Sequence, residues 1–212
     1  MKAKRVIIVT NGVLDQDFIK DIKASDFIIG VDHAAYWLIK HNITPNLAIG
    51  DFDSTTKKEL LDIKKSCPNT QIFSSKKDFT DTELAVKKAI KLNPQSVIIY
   101  GAIGNRIDHT LGNILLLEKL LKKGIVTSIK NSNNQIYLID KTLILDKDKN
   151  FPYLSILPLT KSINISLTGF AYNLNHKIIT RGQSIGVSNQ ITKTKAKITL
   201  HSGKTLVIKS RD

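Results

Sequence analysis

The stretch NLAIGDFDST, residues 46–55, sets Asp51 and Asp53 one residue apart, directly behind a short apolar run that ends in glycine. Acids recur at the same place elsewhere: Asp32 follows FIIGV, Asp78 follows QIFSSKK, and Asp108 lies in the loop behind SVIIYG. In an open parallel sheet, ligands bind where the carboxyl ends of the strands converge, so these five carboxylates share one sheet edge. Like charges gathered so closely repel and raise one another's pKa unless a cation joins them. Mg²⁺ suits such oxygen donors and keeps positions open for water and phosphate. Each acid also has a plainer use. Asp32 and Asp108 can cap the helices that follow them. Asp81 can serve a helix dipole behind a Thr80–Glu83 capping box, with Phe79 and Leu84 as its hydrophobic staple. Recurrence at four consecutive strand ends favours the metal.

Two further segments carry chemistry. In GAIGNRIDH, residues 101–109, Gly101 and Gly104 permit a tight turn with exposed amides, and Arg106 is one of only four arginines. Such a turn at a helix N-terminus is a phosphate cradle, although its spacing is neither a P-loop nor GxGxxG. In RGQSIGVSNQI, residues 181–191, a strand-like run breaks into Ser188 and Asn189, small donors and acceptors suited to a polar heterocycle; taken alone, it reads rather as a hairpin turn. The five histidines lack metal-ligand spacing and stand beside no evident Ser or Cys nucleophile, so hydrolase triads find no support.

The elements that position these residues alternate in the first half: RVIIVT, FIIGV, LAIG, QIFSS and SVIIYG are each followed by a helical pattern. Five strand–helix units argue for a parallel sheet flanked by helices, an α/β domain over residues 1–125 that ends near Gly124. From GIVTSIK onward, short alternating runs separated by turn residues argue for an all-β sandwich over 126–212, of seven or eight strands. The single cysteine, Cys67, excludes an intramolecular disulfide and suits a reducing compartment. No stretch is long and apolar enough for a membrane span or a signal-peptide core, so the expected location is cytoplasmic.

A net charge of +14 invites a nucleic-acid reading. The lysines, however, are scattered over amphipathic segments, and aromatics make up only 6% of the chain. Base readout and phosphate clamping favour arginine, and single-strand platforms need clustered aromatics. Fifteen of the eighteen acids are Asp, eleven of them within the first 108 residues. Asp favours element ends, so the charge pattern points to loops of the first domain and away from nucleic acid.

Taken in order, GVDHAA, ITPNLAIGDFDS, KKDFTDTELA, GAIGNRIDHTLGNI and RGQSIGVSNQ resemble the thiamin pyrophosphokinase (thiamin diphosphokinase) family, from about Phe27 to the C-terminus. The resemblance implies an α/β domain that binds MgATP and a β-sandwich that binds thiamin. It also implies a homodimer whose active sites lie between the N-terminal domain of one chain and the C-terminal domain of the other. Asp51, Asp53, Asp78 and Asp81 become the catalytic acids, with Asp51, Asp53 and Asp78 on the Mg²⁺ side. Asp32, Thr80, Arg106 and Asp108 become ATP contacts, and Ser188 with Asn189 the thiamin contacts. The chain departs from the family pattern at Ala34, where relatives carry glycine. The implied reaction transfers the pyrophosphoryl group of ATP to the thiamin hydroxyethyl group, releasing AMP. Two rivals remain: a haloacid-dehalogenase-type phosphatase using Asp51 and Asp53 of DFDST, and a basic nucleic-acid-binding protein.

Overall fold

A computed structural model describes residues 4–76 and 78–212. Residues 1–3 of the basic N-terminal stretch and Lys77 of the KKDFTDTELA motif lie outside the described residues. The chain divides into two units, Met1–Ser132 and Asn133–Asp212.

The first unit is built on β1 (Arg5–Val9), β2 (Phe27–Val31), β3 (Leu47–Gly50), β4 (Thr70–Ile72), β5 (Ser96–Tyr100) and β6 (Val126–Lys130). All six pair in parallel, in the order β6-β5-β1-β2-β3-β4. Val6, Ile7, Ile8 and Val9 of β1 are each fully buried, so both faces of the sheet are covered, as a continuous apolar run demands. The covering helices are α1 (His33–Lys40), α2 (Lys57–Ser66), α3 (Asp81–Lys91) and α4 (Ile107–Leu121). Right-handed crossovers send α1 and α2 to one face and, after the chain jumps back from β4 to β5, α3 and α4 to the other. Accordingly α1 packs on α2, and α3 on α4. The direction of winding reverses between β1 and β5. That reversal is the topological switch point where open α/β sheets bind ligands.

The first crossover differs from its sequence pattern. DQDFIKDIKAS reads as an α-helix, but the structure forms a 3-10 helix, Gln16–Asp21. Arg5 explains where it stops: its guanidinium donates to the Asp21 carbonyl at 2.6 Å, an acceptor that a continuing helix would need for its own amides. The same guanidinium forks onto the Asp26 carboxylate at 2.8 and 2.5 Å. Asp21 in turn accepts from the Tyr100 hydroxyl at 2.9 Å and pairs with Lys130. Burial raises the Asp21 carboxyl, but hydrogen bonds from Lys130 and Tyr100 outweigh it and hold it below the ordinary range. Phe18, stacked on Tyr100 with centroids 4.3 Å apart, closes the crossover over the sheet.

The domain boundary also moves. Val126–Lys130, assigned by sequence to the β domain from residue 126, pairs in parallel with β5 and belongs to the first unit. Its VTSIK pattern looks half-polar because Thr127 and Ser128 are buried, the Thr127 hydroxyl satisfied by the Ile125 carbonyl at 3.1 Å.

The second unit holds β7 (Asn134–Ile139), β8 (Leu143–Asp146), β9 (Tyr153–Pro158), β10 (Ser162–Thr168), β11 (Leu174–Thr180), β12 (Asn189–Gln190), β13 (Lys195–Ser202) and β14 (Thr205–Ser210). Within it, β12-β9-β14-β7 and β11-β10-β13-β8 form two antiparallel layers. Ile156 and Val207 of one layer share a core cluster with Ile163, Ile165, Ile179 and Ile198 of the other. These are the inward residues of alternating strands, the expected sandwich core. No helix among the described residues is long and apolar enough to cross a membrane.

Candidate active site

At the carboxyl edge of the parallel sheet, the loops after β1, β2, β3, β4 and β5 wall a cavity of about 810 Å³. Its floor is made by backbone that comes too close for side chains. Gly12 donates its N–H to the Gly101 carbonyl at 2.7 Å, and Val13 to the Ile103 carbonyl at 2.9 Å, so the β1 and β5 loops zip together. A Cβ on Gly12 would meet the Gly101 oxygen at 2.2 Å, and one on Gly101, where φ is +68°, would meet the Thr10 oxygen at 2.0 Å. Only glycine fits either position. Helix α4 fixes the far side: Asn113 donates to the Ala102 carbonyl at 3.0 Å, and the Thr110 hydroxyl accepts from the Gly104 N–H at 3.1 Å.

Three carboxylates converge on this cavity. Oxygens of Asp32, Asp51 and Asp81 all lie within 4.8 Å of one another, on half-buried side chains. Asp32 sits at the N-cap of α1 with φ +49° and ψ −130°, a region sparsely used by side-chain-bearing residues. Strain of this kind persists where surroundings enforce it and marks functional loops. Here the Asp32 N–H donates to the Ile49 carbonyl at 3.0 Å, and the Phe52 N–H donates to the Asp32 Oδ1 at 3.1 Å. The carboxylate is thus turned toward the β3 loop. It occupies space that only a glycine at position 50 leaves open, because a Cβ there would lie 1.7 Å from that Oδ1. Asp51 is oriented by its own loop, accepting from the Asp53 N–H at 3.1 Å. Asp81 opens α3, behind Thr80, whose hydroxyl accepts from the Glu83 N–H at 3.1 Å.

Gly50→Ala therefore has a specific expected outcome. The atoms a Cβ would strike first, the Asp32 Oδ1 at 1.7 Å and Cγ at 2.6 Å, belong to a side chain that can swing away, so far-UV circular dichroism should match the parent. Some stability should be lost to the φ of +159° and to the Asp32 N at 3.1 Å. Divalent-ion affinity should fall by about tenfold or more, as expected when a group that orients the ligand set is lost. Parental Mn²⁺ affinity in that variant would show that the Asp32 position is immaterial.

The remaining sequence-selected residues divide. Asp78, Thr80 and Arg106 line the same cavity as the three converging acids. Asp53 and Asp78 stand outside the converging set, which holds Asp32 and Asp81 beside Asp51. The cause is local: Phe52, buried at φ +58°, turns the chain between Asp51 and Asp53, so the two do not share a face as they would in a strand. Asp108 lies in the first turn of α4 and does not cap it; the N-cap is Arg106. Those two side chains fork onto each other at 2.6 and 3.3 Å, and that hydrogen bond holds the Asp108 carboxyl below its ordinary value. The capping box over Thr80 forms only by half, since the Glu83 carboxylate is drawn to Lys119 at 2.8 Å and Lys87 at 3.5 Å.

In the second unit, Asn189 is buried and uses its amide on its own scaffold. Its Oδ1 accepts from the Tyr172 N–H at 3.1 Å, and its Nδ2 donates to the Tyr172 carbonyl at 2.8 Å. Ser188, at φ +58°, is exposed, and its N–H donates to the Ser155 hydroxyl at 3.1 Å. Tyr172, which both of the Asn189 bonds reach, and Ile185 and Val187, just ahead of Ser188 in the chain, are exposed, 73%, 54% and 47% respectively. The histidine reading needs one correction: the Ser166 hydroxyl contacts the His201 Nε2 at 2.9 Å, on the exposed face where His201 stacks on His176.

Sequence reasoning missed the loop after β1. Thr10, Asn11 and Gly12 line the cavity, yet VTNG carries no acid and therefore escaped a search keyed on carboxylates. The strand-end rule, applied to every strand alike, finds it.

Comparison with known proteins finds relatives across both units of the chain. Residues 18–129 match the model of the thiamin pyrophosphokinase catalytic domain, and residues 141–205 that of the thiamin pyrophosphokinase vitamin B1 binding domain. Thiamine pyrophosphokinase of Bacillus subtilis is 36% identical over 186 residues, 87% of each chain. Its crystal structure superimposes with a TM-score of 0.93 at 34% identity, covering 99% of this chain and 100% of that one. Thiamin pyrophosphokinase from Geobacillus thermodenitrificans follows at a TM-score of 0.89 and 27% identity, covering 98% of each. With both domain models matched in order and a relative of this identity spanning most of its length, the chain belongs to the thiamin pyrophosphokinase family.

Proposed function

We propose that the chain transfers the pyrophosphoryl group of ATP to the hydroxyethyl oxygen of thiamin, giving thiamin diphosphate and AMP. The observation that carries this reading is the convergence of Asp32, Asp51 and Asp81 on a cavity that also presents Arg106 and a glycine loop. Three hard oxygen donors with room beside them fit Mg²⁺, and the glycine at position 50 is the cradle that lets one of them take its place. Mg²⁺ held there would neutralise polyphosphate charge. Asp53, in the loop that carries Asp51, and Asp78, on the cavity wall, would lie outside the ion's direct ligands.

The thiamin oxygen forms a bond to the β-phosphorus as the bond from that phosphorus to the α,β-bridging oxygen breaks, and AMP carries that oxygen away. Such transfers depend on position and charge neutralisation more than on covalent catalysis. Arg106, exchanging Asp108 for a phosphate, steadies the equatorial oxygens. The Thr80 hydroxyl, an acceptor for the Glu83 N–H, keeps its own proton to donate to phosphate. Asp78, on the wall outside the trio, receives the hydroxyl proton. Thiamin lies on the exposed Tyr172, Ile185, Val187 and Ser188 surface, shaped from beneath by Asn189.

A homodimer completes the reading, with each site made from the first unit of one chain and the second unit of its partner. Its support is an exposed apolar stripe on α4, Ile107, Leu111 and Leu115, one turn apart, beside the residues that line the cavity. The buried free Cys67 agrees with a cytoplasmic setting.

The test mixes purified protein with thiamin and MgATP, separates the products by chromatography, and sizes the same sample in solution. AMP and thiamin diphosphate are expected, each dependent on thiamin and Mg²⁺, from a two-chain species. ADP with thiamin monophosphate would refute the transferred group. Free phosphate without thiamin would restore the phosphatase reading, and a monomer of full activity would remove the shared site.

A further inference from the structure

Helix α1 has an N-cap residue that does not cap. An N-cap Asp ordinarily accepts from the second or third N–H of its helix, yet the Asp32 side chain makes no such bond. The Ala35 N–H is satisfied by the Asp32 carbonyl at 3.0 Å. The Ala34 N–H donates instead to the Oδ1 of Asn11, at 2.6 Å, from the loop after β1. On its other side the Asn11 Nδ2 donates to the Ser54 hydroxyl at 3.4 Å, just past the Asp51–Asp53 turn. One amide thus ties together the loops after β1, β2 and β3, on one side of the switch point of the sheet.

We propose that Asn11 is a positioning residue for the metal site: by capping α1 from a neighbouring strand, it frees the Asp32 carboxylate to join Asp51 and Asp81. The inference rests on the reading of those three acids as a divalent-ion seat. Without the Asn11 oxygen, the Ala34 N–H loses its acceptor, and the nearest replacement is the residue at the cap. Asp32 would rotate back toward its own helix and leave the trio. A surrogate cap therefore converts a common helix-starting residue into a ligand, at the cost of the left-handed backbone seen at Asp32.

The test is a double-mutant cycle on the full chain, read by Mn²⁺ binding in electron paramagnetic resonance and by urea unfolding without metal. Asn11→Ala should weaken Mn²⁺ binding about fivefold, the equivalent of one cap, with less loss of metal-free stability than in the Asp32→Ala background, because Asp32 takes over the cap at the expense of its bond from the Phe52 N–H. In an Asp32→Ala background the pattern should invert: Asn11→Ala no longer affects Mn²⁺ but does lower stability, since no cap remains. At saturating Mg²⁺, Asn11→Ala should regain parental kcat and KM for ATP. Asn11→Asp keeps the acceptor and should bind Mn²⁺ no more weakly than the parent, which preserves the test if the alanine variant fails to fold. Parental Mn²⁺ affinity in Asn11→Ala, or a raised KM at saturating metal, would overturn the positioning role. A parent that binds no Mn²⁺ would overturn the metal seat itself and this inference with it.

Discussion

Asp51→Asn should lower kcat by about 10²- to 10³-fold, the loss typical when one stabilising group is removed from a site of developing charge. The same substitution should leave far-UV circular dichroism unchanged, because Asn keeps the size of the side chain and the acceptor that takes the Asp53 N–H. The loss follows from the convergence of three carboxylates. With a cation and polyphosphate present, the lost charge is one of the few holding them. Asp62→Asn, the same charge change on α2 away from the cavity, serves as control and should retain parental turnover. An Asp51→Asn protein that is active, or one that is inactive because it does not fold, would contradict the account.

Arg5→Met should cost about 3–5 kcal/mol of stability at pH 7, the range for removing one partner of a buried ion pair. The Asp26 side chain is 1% exposed and its carboxylate also accepts from the Lys23 N–H at 2.7 Å, so without Arg5 a buried charge remains with a single backbone donor for company. The double variant Arg5→Met with Asp26→Asn should recover most of the loss, because Asn is neutral and still accepts from Lys23. The pH dependence has a definite sign. Burial raises the Asp26 carboxyl, but the hydrogen bonds from Arg5 and from the Lys23 N–H, with the charge of Arg5, together outweigh it, and the folded pKa lies below the ordinary value. The pair's contribution is therefore present above the unfolded carboxylate pKa of about 3.9 and lost as pH falls through the lower folded value. The difference between parent and Arg5→Met, measured by urea midpoints, should shrink as the medium is acidified below about pH 4. A difference that grows on acidification would be inconsistent with this pairing.

Sequence and structure agree where burial is two-sided. FIIGV and LAIG are apolar throughout because helices cover both faces, and such runs announce a parallel sheet without further information. The β6 segment hid because Thr127 and Ser128 are polar residues that are buried, the Thr127 hydroxyl satisfied locally, so it read as half-exposed. The first crossover was misread for a different reason: its pattern is helical, but a tertiary contact from Arg5 to the Asp21 carbonyl ends it after six residues. At the site, the acids were legible as a class through their repeated place after strands. Which of them converge was not. That depends on the turn at Phe52, the strained backbone of Asp32 and the space left by Gly50, none of which leaves a spacing pattern. Asn11, and the scaffold role of the Asn189 amide although Asn189 itself was selected, depend on backbone distant in the chain that no spacing announces.

The central claim is that polyphosphate is held through a divalent ion where Asp32, Asp51 and Asp81 converge. The most direct measurement is an anomalous difference map from crystals grown with Mn²⁺ and a non-hydrolysable α,β-methylene analogue of ATP. The account predicts a peak bonded to oxygens of those three residues, with the β- and γ-phosphates against it and the Arg106 guanidinium turned from Asp108 onto the phosphate. A peak held elsewhere, with the three carboxylates bound to water alone, would contradict it.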